Sequence, residues 1–88
     1  MISRTVTIAS SVGLHARPAA ILAEAVDDSG VDITLNFDGE EVDAASLLEI
    51  MILGVKHGDE VTLSTDDDNA GAVLDSLVEL LSRDLDKE

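Results

Sequence analysis

Cysteine is absent from the 88-residue chain, tryptophan and tyrosine are absent with it, and Phe37 is the one aromatic residue. No disulfide can staple the fold and no thiolate can hold a metal. The core must be built from Leu, Ile, Val and Ala, which a hydrophobic content of 45% supplies in a chain of single-domain length. Residues 1–88 are therefore read as one domain. Apolar runs are short, none approaching the roughly 20 residues that a helical span needs. The first residues lack the basic-then-apolar pattern of a secretory signal. The expectation is a soluble cytoplasmic protein without membrane insertion. Cations are also scarce, with five Lys and Arg against nineteen Asp and Glu for a net charge of −14. That field repels nucleic acid and anionic membrane surfaces alike.

Such acidity can simply keep a surface soluble. A sharper reading is adaptation to high cytoplasmic salt, where screening removes most of the self-repulsion. On that reading the chain unfolds in dilute buffer and refolds in molar salt, as followed by circular dichroism; full stability in dilute buffer contradicts it. His15 and His57 lie far apart in a chain without cysteine. Neither a metal site nor a cofactor is expected from them.

Periodicity divides the chain into seven elements. In residues 2–8, Ile2, Arg4, Val6 and Ile8 alternate with Ser3, Thr5 and Thr7, a strand with one polar position on its inner face. From Ala16 to about residue 27 the period becomes helical, with Ala19, Leu22, Ala23 and Val26 on one face and Gly30 beyond the end. Val31, Ile33, Leu35 and Phe37 alternate with Asp32, Thr34 and Asn36 in a second strand. Asp38-Gly39 is a two-residue hairpin signal that returns residues 40–43 antiparallel. Ser46 and Glu49 have the spacing of a capping box opening a short helix, which Gly54 closes. Val61 and Leu63 alternate with Thr62 and Ser64 in the last strand. After a polar break at 66–69, Val73, Leu74, Leu77, Val78, Leu80 and Leu81 form the stripe of a final helix. The order βαββαβα predicts an α+β open-faced sandwich: a four-stranded antiparallel sheet with three helices on one face and a solvated opposite face.

The chemistry concentrates in Gly13-Leu14-His15-Ala16-Arg17-Pro18-Ala19-Ala20. Pro18 suits a first helical turn, where its missing N–H costs nothing. His15 then stands at the mouth of a helix, whose leading amides and partial positive charge favour an anion. No carboxylate occurs in residues 1–23, which carry Arg4 and Arg17, so a cationic island stands out in an acidic chain. A neutral imidazole is a competent nucleophile toward phosphorus near neutral pH. Its phosphoramidate transfers onward readily, since the ring leaves well once its other nitrogen is protonated. The amides of Ala16 and Arg17 can bond the phosphoryl oxygens, and the Arg17 guanidinium can neutralise their charge. A helix start contributes about 0.3–1 kcal/mol to a nearby anion, enough to orient a phosphoryl group without trapping it.

These residues resemble the signature of the HPr family, the histidine-containing phosphocarriers of the phosphoenolpyruvate-dependent sugar phosphotransferase system. The likeness runs over nearly the whole chain, since Ser46, Met51, Leu53-Gly54 and Gly58-Asp59-Glu60 also fall where the family has them. The resemblance implies that enzyme I phosphorylates His15, with phosphoenolpyruvate as ultimate donor. It implies that His15 hands the group to the A component of a sugar permease. It also implies transfer through Nδ1, with Arg17 as the phosphate's partner, in a monomer that relays rather than catalyses.

The family uses its short middle helix to dock donor and acceptor. Here that helix is apolar almost all round, and Leu47, Leu48 and Met51 are the expected contacts, with Ala20 and Arg17 at the rim. In many relatives the serine matching Ser46 is a regulatory phosphorylation site. Glu49, where glycine or lysine is common, opposes a phosphate one turn away, so a capping role for Ser46 outweighs a regulatory one. Val12 replaces a small polar residue common in relatives. His57, in Lys56-His57-Gly58-Asp59, reads as a surface turn residue. An acyl carrier protein is the main rival, because Asp75-Ser76-Leu77 mimics its attachment motif. That serine should open a helix of an all-helical bundle, which leaves no place for strands at 31–43. A regulatory paralogue would usually lack the histidine. A ligand-binding module with a similar element order would leave the cationic island unexplained.

Overall fold

Alternation along the strands gives the sheet two unlike faces. The computed structural model describes residues 1–83; the acidic stretch 84–88, expected to be solvated surface, lies outside the described residues. Its elements are β1 (Ile2–Thr7), α1 (Ala16–Ser29), β2 (Thr34–Phe37), β3 (Glu40–Asp43), α2 (Leu47–Ile52), β4 (Glu60–Thr65) and α3 (Gly71–Leu81). The strands lie in the order β1-β4-β2-β3, every neighbouring pair antiparallel. Val6, Val61, Leu63 and Leu35 point into the core. Thr5, Thr62, Asn36 and Glu41 form one cross-strand row on the other face. Along that row the Thr5 and Thr62 hydroxyls lie 3.2 Å apart and Asn36 Nδ2 donates to Glu41 Oε1 at 3.3 Å.

The three helices cover the apolar face. Leu22 of α1, Ile50 of α2 and Leu74 of α3 meet Leu35 and Leu63 of the sheet in one cluster, all fully buried. The predicted α+β sandwich and its element order are what the structure has. It has no resemblance to an all-helical carrier, and Ser76 is an exposed residue inside α3.

Three local readings are corrected. The second strand starts at Thr34, not at Val31. Its neighbour β4 ends at Thr65 and turns, with Ala70 N donating to the Asp67 carbonyl, so residues 31–33 have no β4 partner. Val31 N instead donates to Ser29 Oγ at 3.2 Å. The capping box is half formed: Ser46 Oγ accepts from Glu49 N at 3.3 Å, but Ser46 N donates to the Asp43 carbonyl rather than to Glu49. Arg4 does not serve the His15 region. Its Nε donates to Asp75 Oδ1 on α3 at 2.9 Å, an exposed pair contributing under about 1 kcal/mol. The Asp38-Gly39 turn does form, with φ of 53° and 84°, the double left-handed conformation of a type I′ hairpin.

The Met1 amine is likewise committed, to Asp68 Oδ1 at 3.0 Å. That hydrogen bond, with the carboxylate's charge, raises the amine's pKa above its ordinary value. No helix among the described residues is long and apolar enough to cross a membrane.

Candidate functional site

The backbone on either side of His15 is anchored in the core, while His15 itself is exposed. Leu14 is buried and its N–H donates to the Val55 carbonyl at 3.0 Å. Pro18 and Ala19 are buried on the far side. His15 is the N-cap of α1, with extended φ of −87° and ψ of −168°, and its side chain makes no capping hydrogen bond. The ring is thus carried by a fixed main chain without being spent on the helix end. Ala19 N donates to the His15 carbonyl at 2.9 Å, and Pro18 has no N–H. In this first turn the amides of Ala16 and Arg17 precede the helical ladder. Arg17 is exposed in the same first turn.

Gly13 makes this placement possible. Its φ is +70°, and a Cβ there would fall on the Val55 carbonyl oxygen and the Lys56 Cα. The loop before α1 is therefore pressed against the loop after α2. That contact delivers Lys56 and His57 to the end of the molecule where His15 stands. Of the two cations in the acid-free stretch, Arg4 is paired with Asp75, while the close approach at Gly13 brings Lys56 alongside the loop before His15. A helix terminus supplies the remaining positive character.

His57 is more than a turn residue. Its Nδ1 lies 3.1 Å from the Ser10 carbonyl oxygen, across 47 positions of chain. A lone Lys-His-Gly-Asp turn carries no periodic signal that would reveal such a reach.

The helix α2 packs on α1, and its outer side is apolar. Leu48 is 68% exposed, Ile52 72% and Leu47 41%, while Met51 is half-buried against the core. Ile52 was not among the expected contacts, yet it lies one turn beyond Leu48 on the same face, a spacing visible in the sequence. Val12, in the loop before His15, is 54% exposed, and Ala20 is half-buried. Ser46 is half-buried with its hydroxyl engaged by the cap, and Asp43 Oδ1 accepts from Ala45 N beside it. A phosphate on Ser46 would therefore form in a segment that carries the carboxylates of Asp43 and Glu49.

One surface cleft, about 570 Å³, is lined by Met1, Val31, Asp32, Glu41, Asp66 and Asp67 among others. His15 lines neither it nor the two smaller clefts. An exposed ring outside any of these clefts suits delivery to and from another macromolecule better than capture of a small substrate. Among the described residues no group of three or more His, Cys, Asp and Glu side chains could hold a metal ion.

The site has close counterparts. A family model for the PTS HPr component phosphorylation site matches residues 2–83. The phosphocarrier protein HPr of Streptomyces coelicolor is 39% identical over 88 residues, covering 99% of this chain and 95% of its own. That of Haloferax volcanii is 42% identical over 81 residues, covering 90% and 91%. The crystal structure of a phosphocarrier protein HPr from Bacillus anthracis superposes with a TM-score of 0.85 at 30% identity, over 91% of this chain and 95% of that one. Dimers also occur among solved relatives.

Proposed function

The chain belongs to the HPr family of phosphotransferase-system phosphocarriers, and from that premise we propose that His15 accepts a phosphoryl group from enzyme I and passes it to the A component of a sugar permease. The observation that carries this reading is the exposed His15 side chain at the mouth of α1, anchored on both sides yet making no cap bond. Nδ1 is the acceptor atom. As the Nδ1–P bond forms, the donor's own bond to phosphorus breaks and its electron pair returns to the donor. The ring carries its proton on Nε2. Protonated in this way it is a good leaving group, so the group moves on when the acceptor attacks. The Ala16 and Arg17 amides and the Arg17 guanidinium stabilise the charge on the phosphoryl oxygens in each direction. The protein is a covalent relay intermediate, working as a monomer in the cytoplasm, and not a stand-alone catalyst. Ser46 is a helix cap in this scheme, not a regulatory switch.

Incubation with phosphoenolpyruvate and the cognate enzyme I is expected to add one phosphoryl group, acid-labile and alkali-stable, seen by intact mass. No gain with an enzyme I shown to be active rejects the carrier reading.

Docking is assigned to the outer side of α2. Changing Leu48 and Ile52 together to Glu is expected to raise the KM for this carrier at enzyme I about tenfold or more, because charge enters the apolar centre of the interface. Both side chains are largely exposed, so the thermal midpoint should stay within a few degrees. An unchanged KM would move the docking surface elsewhere.

A further inference from the structure

Building on the carrier reading, we infer that His57 is a positioning residue for phosphoryl transfer at His15. A carbonyl oxygen only accepts, so the 3.1 Å contact with Ser10 requires that the His57 ring carry hydrogen on Nδ1. Ser10 is 2% exposed, inside the loop that leads from β1 to α1. Its carbonyl also accepts from Gly13 N at 3.0 Å. Both lone pairs of a buried loop carbonyl are thereby occupied, one by the turn itself and one by a side chain from a distant loop.

Main-chain bonds also join the two loops. Ile8 N donates to the Asp59 carbonyl and Gly58 N to the Ile8 carbonyl, each at 2.9 Å, while Leu14 N donates to the Val55 carbonyl at 3.0 Å. These bonds grip the segment at residues 8 and 14. Residues 9–13 run between them; Ala9 N donates to the Leu81 carbonyl at 3.2 Å, and the His57 ring reaches the segment at the Ser10 carbonyl. The loop bearing His57 is itself stiffened, since Lys56 N donates to Asp59 Oδ2 at 2.9 Å and Asp59 N to the Lys56 carbonyl at 3.0 Å. That loop leaves α2 through Gly54, so the ring ties the docking helix's exit to the turn before the nucleophile. In-line transfer depends on where the nucleophilic nitrogen stands, and small displacements slow it steeply.

The test compares wild type, His57→Ala and His57→Asn. The Asn side-chain amide can donate from nearly the place of Nδ1. Phosphorylation by enzyme I is timed with phosphoenolpyruvate in excess, and amide exchange of Gly13 and Leu14 is followed by NMR. Loss of one neutral hydrogen bond is expected to slow the transfer step of His57→Ala about threefold to tenfold, at unchanged KM, and to speed exchange at both amides. His57→Asn should recover most of the rate. A wild-type rate in His57→Ala, or a His57→Asn protein as slow as His57→Ala, overturns the positioning role while leaving the carrier reading intact. A wild type that takes no phosphate sinks both. Should His57→Ala fail to fold, ¹⁵N shifts of the wild-type ring decide. Hydrogen on Nδ1 supports the proposal, and a ring protonated at neutral pH on Nε2 alone overturns it.

Discussion

His15→Ala is expected to take up no phosphate under conditions that fully label the wild-type protein. The substitution removes the nucleophile and little else. His15 is exposed and its side chain makes no cap hydrogen bond, so the change in stability should stay below about 1 kcal/mol, the size of an ordinary capping effect. A folded, unlabelled variant is therefore the expected result, and circular dichroism with intact mass reads both halves of it. His57 offers no substitute, since its Nδ1 is bonded to the Ser10 carbonyl and it stands in a loop rather than at a helix start. Residual labelling of the variant would mean that another group carries the phosphate.

Gly13→Ala is expected to be the most damaging single methyl in the loop. The residue has a φ of +70°, a region that costs an L-residue about 1–2 kcal/mol. Its new Cβ would also meet the Val55 carbonyl and the Lys56 Cα, main-chain atoms that cannot swing aside as a side-chain tip can. Strain and overpacking together should lower unfolding free energy by about 2–4 kcal/mol, or roughly 10–25 °C in thermal midpoint for a domain of this size. Gly39→Ala is the control. Its φ is +84°, but nothing lies within 4 Å of the added atom, so only the conformational part remains. Urea midpoints of the two variants separate the contributions. Equal losses would show that the close approach of the two loops has been overstated. Labelling of whatever Gly13→Ala remains folded should also slow, because the turn that sets His15 has moved.

What could be read from the chain beforehand follows a simple division. Features set by neighbours a few positions apart were legible. Period-two alternation revealed β1 and β4, Asp38-Gly39 announced its hairpin, and Pro18 with His15 announced the start of α1. Features set by a distant partner were not. The second strand is shorter than its alternation suggests because its pairing with β4 stops at Thr34 and Ser64. Arg4 was grouped with Arg17 by sequence, whereas its partner Asp75 is 71 positions away. The bond from His57 to Ser10 is of the same kind. Ile52 is intermediate: its turn-spaced companion Leu48 was visible, but which apolar side chains of a short helix stay in water depends on how α2 lies against α1. The placement of His15 and Arg17 at the mouth of α1 was legible because Pro18 fixes the first turn. The brace behind them was not, because it is assembled from two loops.

The account rests on where the phosphorus atom goes. Protein labelled with ¹⁵N, phosphorylated through enzyme I and held at alkaline pH, can be read by ³¹P and ¹⁵N NMR. One phosphorus bonded to Nδ1 of His15, with His57 and Ser46 unmodified, is the predicted result. Phosphorus on His57 or on Ser46 Oγ, or none at all with a competent donor, would contradict it.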